Sequence, residues 1–357
     1  MSRLRVAAVL AVLSVLLVAC GSSPNAEHAS KAGDGGKGPV TVKYLQASDS
    51  FAYLPYYIAS NEGYFKDQGI TIDRQPNIGV SSQAAQSVLV GQADIAAVGT
   101  TGVYSLEAQG RPAKSVAALT QQSILELALR NDVVKKLKAT TGTTPDSPIA
   151  QRVKALKGLK IAIVPEGAIS RVQFEATLKT YGLNPDKDVK LIPIEDPDAL
   201  VAAAKTGHTD GFVFSLPNTQ APVTDGWGQT WISYPRGDVP ALKDNYLIDL
   251  ETSASYLKSN PAVVKRFLTA MQKAFDLLKT DPAAAEVAVK KSFPDMTDKL
   301  FNAAYGATLP AFTTGMVPTQ AGFERTQKTW LPTQDHPKAL TFGQVYDTTA
   351  VQAVGAQ

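Results

Sequence analysis

Few side chains in this sequence can do chemistry, and their types narrow that chemistry quickly. There is one cysteine, Cys20, and three histidines, His28, His208 and His336. A zinc site of two or three histidines would have to draw on all of them, and two lie in segments that read as tail or linker, so no metal or cofactor is expected. A serine–histidine–acid relay has only His208 or His336 as its base, and no Gly-x-Ser-x-Gly elbow accompanies either. No catalytic residue is expected. What recurs instead is glycine beside hydroxyl residues at helix starts: Gly79-Val80-Ser81-Ser82, Thr100-Thr101-Gly102 and Glu166-Gly167-Ala168-Ile169-Ser170. Free backbone amides and the positive helix end make such a start a seat for an anion. Ordinary N-capping by Ser81 or Ser82 is the alternative, and one serine can do each.

Cys20 carries a different message. Arg3 and Arg5, the apolar run Val6–Ala19 and small residues before a cut site make residues 1–19 a secretory signal peptide. That run falls short of the roughly 20 apolar residues a membrane span needs. Leu16-Leu17-Val18-Ala19-Cys20 resembles the lipobox of bacterial lipoproteins, which implies cleavage before Cys20 and diacylation of its thiol. A signal peptide that happens to hold a buried cysteine is the alternative. Once Cys20 is lipidated, no thiol remains for disulfides, thiol catalysis or a cysteine metal site. Residues 20–38 then read as the anchor and a flexible Gly/Ser/Ala/Lys-rich tether with an r.m.s. span of roughly 20–25 Å. Its GDGGKG lacks the spacing, the following Ser or Thr and the preceding strand of a phosphate loop.

The elements that must position the glycine–hydroxyl starts begin at Pro39. The 357 residues, 44% hydrophobic and 19% charged, describe a globular chain long enough for two modest lobes. Formal net charge is +3, and two arginines leave with the signal, so no electrostatic case for nucleic acid exists. Strands are expected at 40–45, 70–72, 95–98, 159–164, 189–194, 211–214 and 246–250. Helices are expected at 54–65, 81–90, 102–109, 170–181, 197–205, 261–279 and 282–291. The alternation implies parallel, helix-covered sheets. Residues 131–157 read as a connector with some helix, and the chain beyond Lys328 as a tail wrapping one lobe loosely.

Both halves repeat one unit. SVLVGQADIAAVGT runs helix, glycine stop, Asp94, strand, and VAAAKTGHTDGFVFS repeats it through Gly207 and Asp210. An acid in such a turn bonds local backbone amides, and that structural role is favoured for both over ligand binding. Open sheets bind ligands beyond the carboxyl ends of their strands, and two of them facing each other make a clamshell.

At this point the chain resembles the nitrate/sulfonate/taurine-binding proteins of ABC importers, a group with thiamine-pyrimidine-binding members. The resemblance rests on Leu54-Pro55-Tyr56-Tyr57-Ile58-Ala59, Glu62-Gly63-Tyr64-Phe65, Gly91-Gln92-Ala93-Asp94-Ile95-Ala96, Leu156-Lys157-Gly158-Leu159-Lys160-Ile161-Ala162, Tyr181-Gly182-Leu183-Asn184-Pro185 and Asn260-Pro261. It implies an α/β, two-lobed periplasmic-binding-protein fold of type II with a ligand cleft between the lobes. Lobe one would be 39–128 plus 235–357, and lobe two 129–234. It implies a monomeric extracytoplasmic lipoprotein at the cell membrane, a small-molecule ligand and an ABC permease as partner, with no chemistry performed. A sulfonate-like anion is the first ligand expected, and a neutral heterocycle such as a thiamine-type pyrimidine the second. Two other readings are a pyrimidine synthase, whose relatives use a histidine and a cysteine-rich segment not found here, and a surface lipoprotein without ligand.

The resemblance also assigns the ligand loops. After the first strand it gives Asp49, Ser50, Phe51 and Tyr53, with the aromatics either stacking on ligand or packing beneath the lobe. Then come Gly79, Ser81 and Ser82, and Thr100 and Thr101. Lobe two contributes Glu166, Gly167, Ala168 and Ser170, and then Ser215 and Asn218. Arg111 and Arg171 are the only arginines near these loops, and they offer no pair for bidentate carboxylate capture. Asp49 and Glu166 point to a donor or cationic group on the ligand as well.

Overall fold

The computed structural model describes residues 38–312, 315–334 and 336–355. The signal peptide, Cys20, His28 and all but the last residue of the tether lie outside the described residues. Apolar runs set ten strands: β1 (Val40–Gln46), β2 (Ile70–Arg74), β3 (Ile95–Gly99), β4 (Ala113–Thr120), β5 (Leu125–Arg130), β6 (Lys160–Ile163), β7 (Lys190–Pro193), β8 (Gly211–Ser215), β9 (Gly228–Ser233) and β10 (Ile248–Ser253). The helices are α1 (Leu54–Asn61), α2 (Tyr64–Asp67), α3 (Ser81–Leu89), α4 (Thr101–Ala108), α5 (Asn131–Thr141), α6 (Ile149–Lys154), α7 (Ile169–Thr180), α8 (Pro197–Lys205), α9 (Ala221–Thr224), α10 (Ala254–Ser259), α11 (Pro261–Thr280), α12 (Pro282–Lys290), α13 (Asp298–Thr308), α14 (Gln320–Trp330), α15 (Phe342–Val345) and α16 (Thr349–Gly355).

The strands form two five-stranded sheets, ordered β2-β1-β3-β10-β4 and β7-β6-β8-β5-β9. Within each, the first three strands are parallel, and the other two pairings are antiparallel. The expected all-parallel sheets are therefore mixed. The reason is the path of the chain: β5 and β10 are the strands by which it enters a sheet after crossing from the other, and both run against their neighbours. The crossings lie at 121–124 and 234–247, tied together where Gln122 Nε2 donates to Pro235 O (3.4 Å). The border expected at 128–129 falls inside β5, which pairs along its length with β8 and β9 of the second sheet.

The repeated unit of the two halves has one geometry. Asp94 Oδ2 accepts from Lys43 N (2.8 Å), and Asp94 N donates to Lys43 O (2.9 Å). Asp210 makes the same pair with Lys160, at 2.8 and 2.7 Å. Each acid thus pins a turn to the neighbouring strand, after a glycine in the left-handed region (Gly91 φ 70°, Gly207 φ 83°) has ended the helix.

Two expectations change, and the helix expected in the connector is located. The helix expected over 54–65 breaks into α1 and α2 at Gly63, whose φ of 76° no continuing helix allows. The 131–157 connector carries α5 and α6, and Arg152 of α6 is buried, donating to Trp231 O (2.8 Å) and Asp238 Oδ2 (2.7 Å). The C-terminal tail is not loose: Trp330, Tyr346 and Val351 are buried, and Tyr346 bridges to Ser115 of β4.

Candidate functional site

A cavity of about 550 Å³ lies between the two sheets, at the carboxyl ends of β1, β3, β6, β7 and β8 and the start of β10. Its volume is in the range of small-molecule sites. The lobes meet beside it. A Cβ on Gly99 of β3 would stand 2.1 Å from Ser81 Oγ and 2.7 Å from Ile169 Cγ2 of the second lobe, so only glycine permits this approach. Phe51 N donates to Leu216 O (3.0 Å), a backbone tie between lobes.

The loop after β1 is fastened by Gln46, which is fully buried. Its Nε2 faces Ser48 O (2.8 Å), Asp49 Oδ1 (3.0 Å) and the Tyr57 hydroxyl (2.8 Å). Asp49 and Tyr53 reach the cavity wall. Asp49 is already held, accepting from Arg74 (3.3 Å) and Asn77 Nδ2 (3.0 Å). The Tyr53 hydroxyl accepts from Ala47 N (3.3 Å), and burial pushes its pKa up, so it is a neutral phenol. Ser50 and Phe51 are off the wall. Ser50 caps the following turn by accepting from Ala52 N, and Phe51 packs edge-on against Phe293 and Phe301, the packing alternative of the two expected.

Gly79 and Ser81 line the cavity, and Ser82 does not. Neither serine caps α3: the cap position is Val80, with no side-chain bond. Ser81 is 2% exposed, and its hydroxyl has no hydrogen-bond partner among the described residues, so it is free to face a ligand. Thr100 and Thr101 sit behind the sheet. Thr100 Oγ1 donates to Asp249 Oδ1 (3.1 Å), and Thr101 is buried off the cavity wall at the start of α4.

From lobe two, Ala168 and Ser170 open α7 on the wall, again with no side-chain cap, and Ser170 is buried without a bonded partner among the described residues. Glu166 and Gly167 are off it: Glu166 turns to solvent and pairs with Arg171 (3.3 Å), and Gly167 lies under Ser82. Ser215 and Asn218 line the cavity with Phe214. Their loop is held from behind, since Thr219 Oγ1 and Gln220 Nε2 donate to buried Glu126 Oε2 (3.0 and 2.7 Å).

Sequence reasoning missed the loop after β7. Glu195, Asp196, Pro197 and Asp198 all line the cavity. The rule that picked the other loops, a strand end followed by a helix start, applies equally to this one. Asp196 caps α8 by accepting from Ala199 N (2.7 Å), while Glu195 and Asp198 have no partner among the described residues. No lysine or arginine lines the cavity among the described residues. His208 lies outside it, bonded to Thr206 (2.9 Å), and His336 is exposed elsewhere. No group of three or more metal-ligating side chains is present among the described residues.

Two mixed sheets, two crossings and a cavity between their strand ends define the fold of two-lobed solute-binding proteins. The alkanesulfonate-binding protein SsuA from Xanthomonas axonopodis pv. citri, bound to MOPS, superposes with a TM-score of 0.67 at 16% identity, covering 87% of this chain and 99% of that one. The chain belongs to the NMT1/THI5-like family, whose model matches residues 50–285. It is 27% identical over 263 residues to the putative binding protein YtlA of Bacillus subtilis, covering 71% of each. It is also 23% identical over 244 residues to a 4-amino-5-hydroxymethyl-2-methylpyrimidine phosphate synthase of Aspergillus parasiticus, spanning 65% of that protein's length.

Proposed function

We propose that this protein is an extracytoplasmic receptor of an ABC importer. It captures a small solute between its lobes, delivers it to a membrane permease and performs no chemistry on it. Lipidated Cys20 and the tether keep it beside its permease, which raises its effective concentration there. The observation that carries this reading is the cavity between two lobes, lined by Ser81 and Ser170, whose hydroxyls have no hydrogen bond among the described residues. A bound solute supplies those bonds. Synthase chemistry has less support, because neither described histidine reaches the cavity.

The test is thermal unfolding of the full chain, purified in detergent, against sulfonates, nitrate, amines and aminopyrimidines. A ligand at one hundred times its Kd stabilises the folded state by about 2.7 kcal/mol. A stable shift with one class and no product over hours supports a receptor. Turnover of the bound compound, or no shift with any class, overturns the reading.

A further inference from the structure

The cleft's charge bears on what it admits. The loop Glu195-Asp196-Pro197-Asp198 places three carboxylates on the cavity wall within four residues, all at its solvent-facing rim. None forms an ion pair among the described residues. Arg74 holds Asp49, Arg171 holds Glu166 and Glu175, and Lys205 lines an adjoining groove with Asp198 without an ion pair between them. Glu195 also reaches across the cleft, its Cγ 4.0 Å from where a Cβ on Gly79 would sit. Gly79 leads into α3, the helix start expected from sequence to seat an anion. The Glu195 side chain therefore packs beside Gly79, two residues before that positive end.

Behind this rim the wall carries Asp49, already paired with Arg74, and the unpartnered hydroxyls of Ser81 and Ser170, two residues each more than nine-tenths buried. Tyr53 and Phe214 add aromatic surface from opposite lobes. A cleft whose mouth carries one sign of charge concentrates ions of the other sign and repels its own. A ring face beside a cation adds attraction.

We infer that the solute carries a protonated amine, which meets Glu195 and Asp198 at the rim while the rest of the molecule engages the hydroxyls within, and that simple anions are rejected. This rests on the receptor reading above and replaces the sulfonate-like anion expected from sequence with an aminated solute.

Two probes that differ in one group test it: 4-amino-5-aminomethyl-2-methylpyrimidine, with an ammonium at neutral pH, and its 5-hydroxymethyl counterpart. Putrescine, isethionate and nitrate complete the set, each titrated into the full chain by calorimetry and thermal shift. An ammonium-bearing probe should bind about three- to tenfold tighter than its neutral counterpart, as expected of two partly exposed charge pairs, and isethionate and nitrate should not bind. That preference should shrink as ionic strength rises. The double variant Glu195→Gln/Asp198→Asn should bring the ratio near one. Binding of isethionate or nitrate without any amine overturns the charge assignment and leaves the receptor reading standing. So does an unchanged ratio in the double variant. No binding by any probe overturns both.

Discussion

Asp249 offers the sharpest test of the packing behind the site. It lies on β10 with its carboxyl fully buried, beside Glu251 on the same face of the strand and facing Thr100, Ser115, Tyr104 and Tyr346. No cationic side chain pairs with it among the described residues. Burial pushes its pKa up from 3.8 to about 7, a rise only partly offset by the hydroxyls of Tyr346, Ser115 and Thr100. Below pH 4 the folded and unfolded chains both keep this proton. Between pH 4 and 7 the unfolded chain has released it and the native chain has not, so stability falls as pH rises. Above 7 the native carboxyl ionises too, and the loss levels off. At about 1.4 kcal/mol per tenfold change in proton affinity, the contribution lost over that window is about 4 kcal/mol.

Asp249→Asn keeps the shape and the acceptor for Thr100 and cannot ionise. Urea unfolding of both proteins from pH 4.5 to 8.5 isolates this carboxyl as their difference. The variant should gain on the wild type by several kcal/mol between pH 4.5 and 7, and by little more above that. A difference that stays flat across the range, or a variant that weakens as pH rises, would refute the reasoning. Either outcome would mean that the native state holds Asp249 ionised against a cation.

Other perturbations probe closure, framework and anchoring. Gly99→Ala should lower affinity for any bound solute at least tenfold by calorimetry and leave helical content by circular dichroism unchanged, because its Cβ obstructs Ser81 and Ile169 where the lobes meet. Burial acts against ionisation of Asp238, but bonds from Arg236 and Arg152 hold its carboxyl at about 2. Arg152→Ala removes one of the two guanidinium partners of Asp238 and the bond to Trp231 O, and should cost about 1–3 kcal/mol in denaturant unfolding at pH 7. Glu126→Ala releases Thr219 and Gln220 and should weaken solute binding through the Ser215–Asn218 loop. The conservative Glu126→Gln should restore most of it. Cys20→Ser should move the protein from the membrane to the soluble fraction and impair uptake in cells, with solute affinity in solution unchanged.

What sequence resolved and what it missed divide along a physical line. α8 is found at its expected residues because Asp196 and Pro197 start it and Gly207 follows, all local signals. The glycine stops before Asp94 and Asp210 are legible for the same reason, but the amides that these acids bind are not the local ones expected: they belong to Lys43 and Lys160, 51 and 50 residues away. β5 was not legible. Leu-Glu-Leu-Ala-Leu-Arg favours helix by propensity, and it is a strand because β8 and β9 flank it. β4 reads as small polar and apolar residues without alternation, and pairing with β10, more than a hundred residues away, makes it a strand.

The site divides in the same way. Hydroxyls and glycines at helix starts announced Gly79, Ser81, Ala168 and Ser170, since a helix start exposes amides wherever it falls. The hydroxyl of Tyr53 favoured it over Phe51 for the cavity, but nothing local separated Ser81 from Ser82, because which serine faces the cavity depends on how the loop packs. Sequence alone thus determined the two α/β halves, the glycine helix stops that both share and the family. The tertiary structure decided which side chains share the cleft, and so placed the Glu195–Asp198 carboxylates opposite Gly79. Local signals act through backbone geometry over a few residues, whereas the charge of a cleft is summed over loops that only the fold brings together.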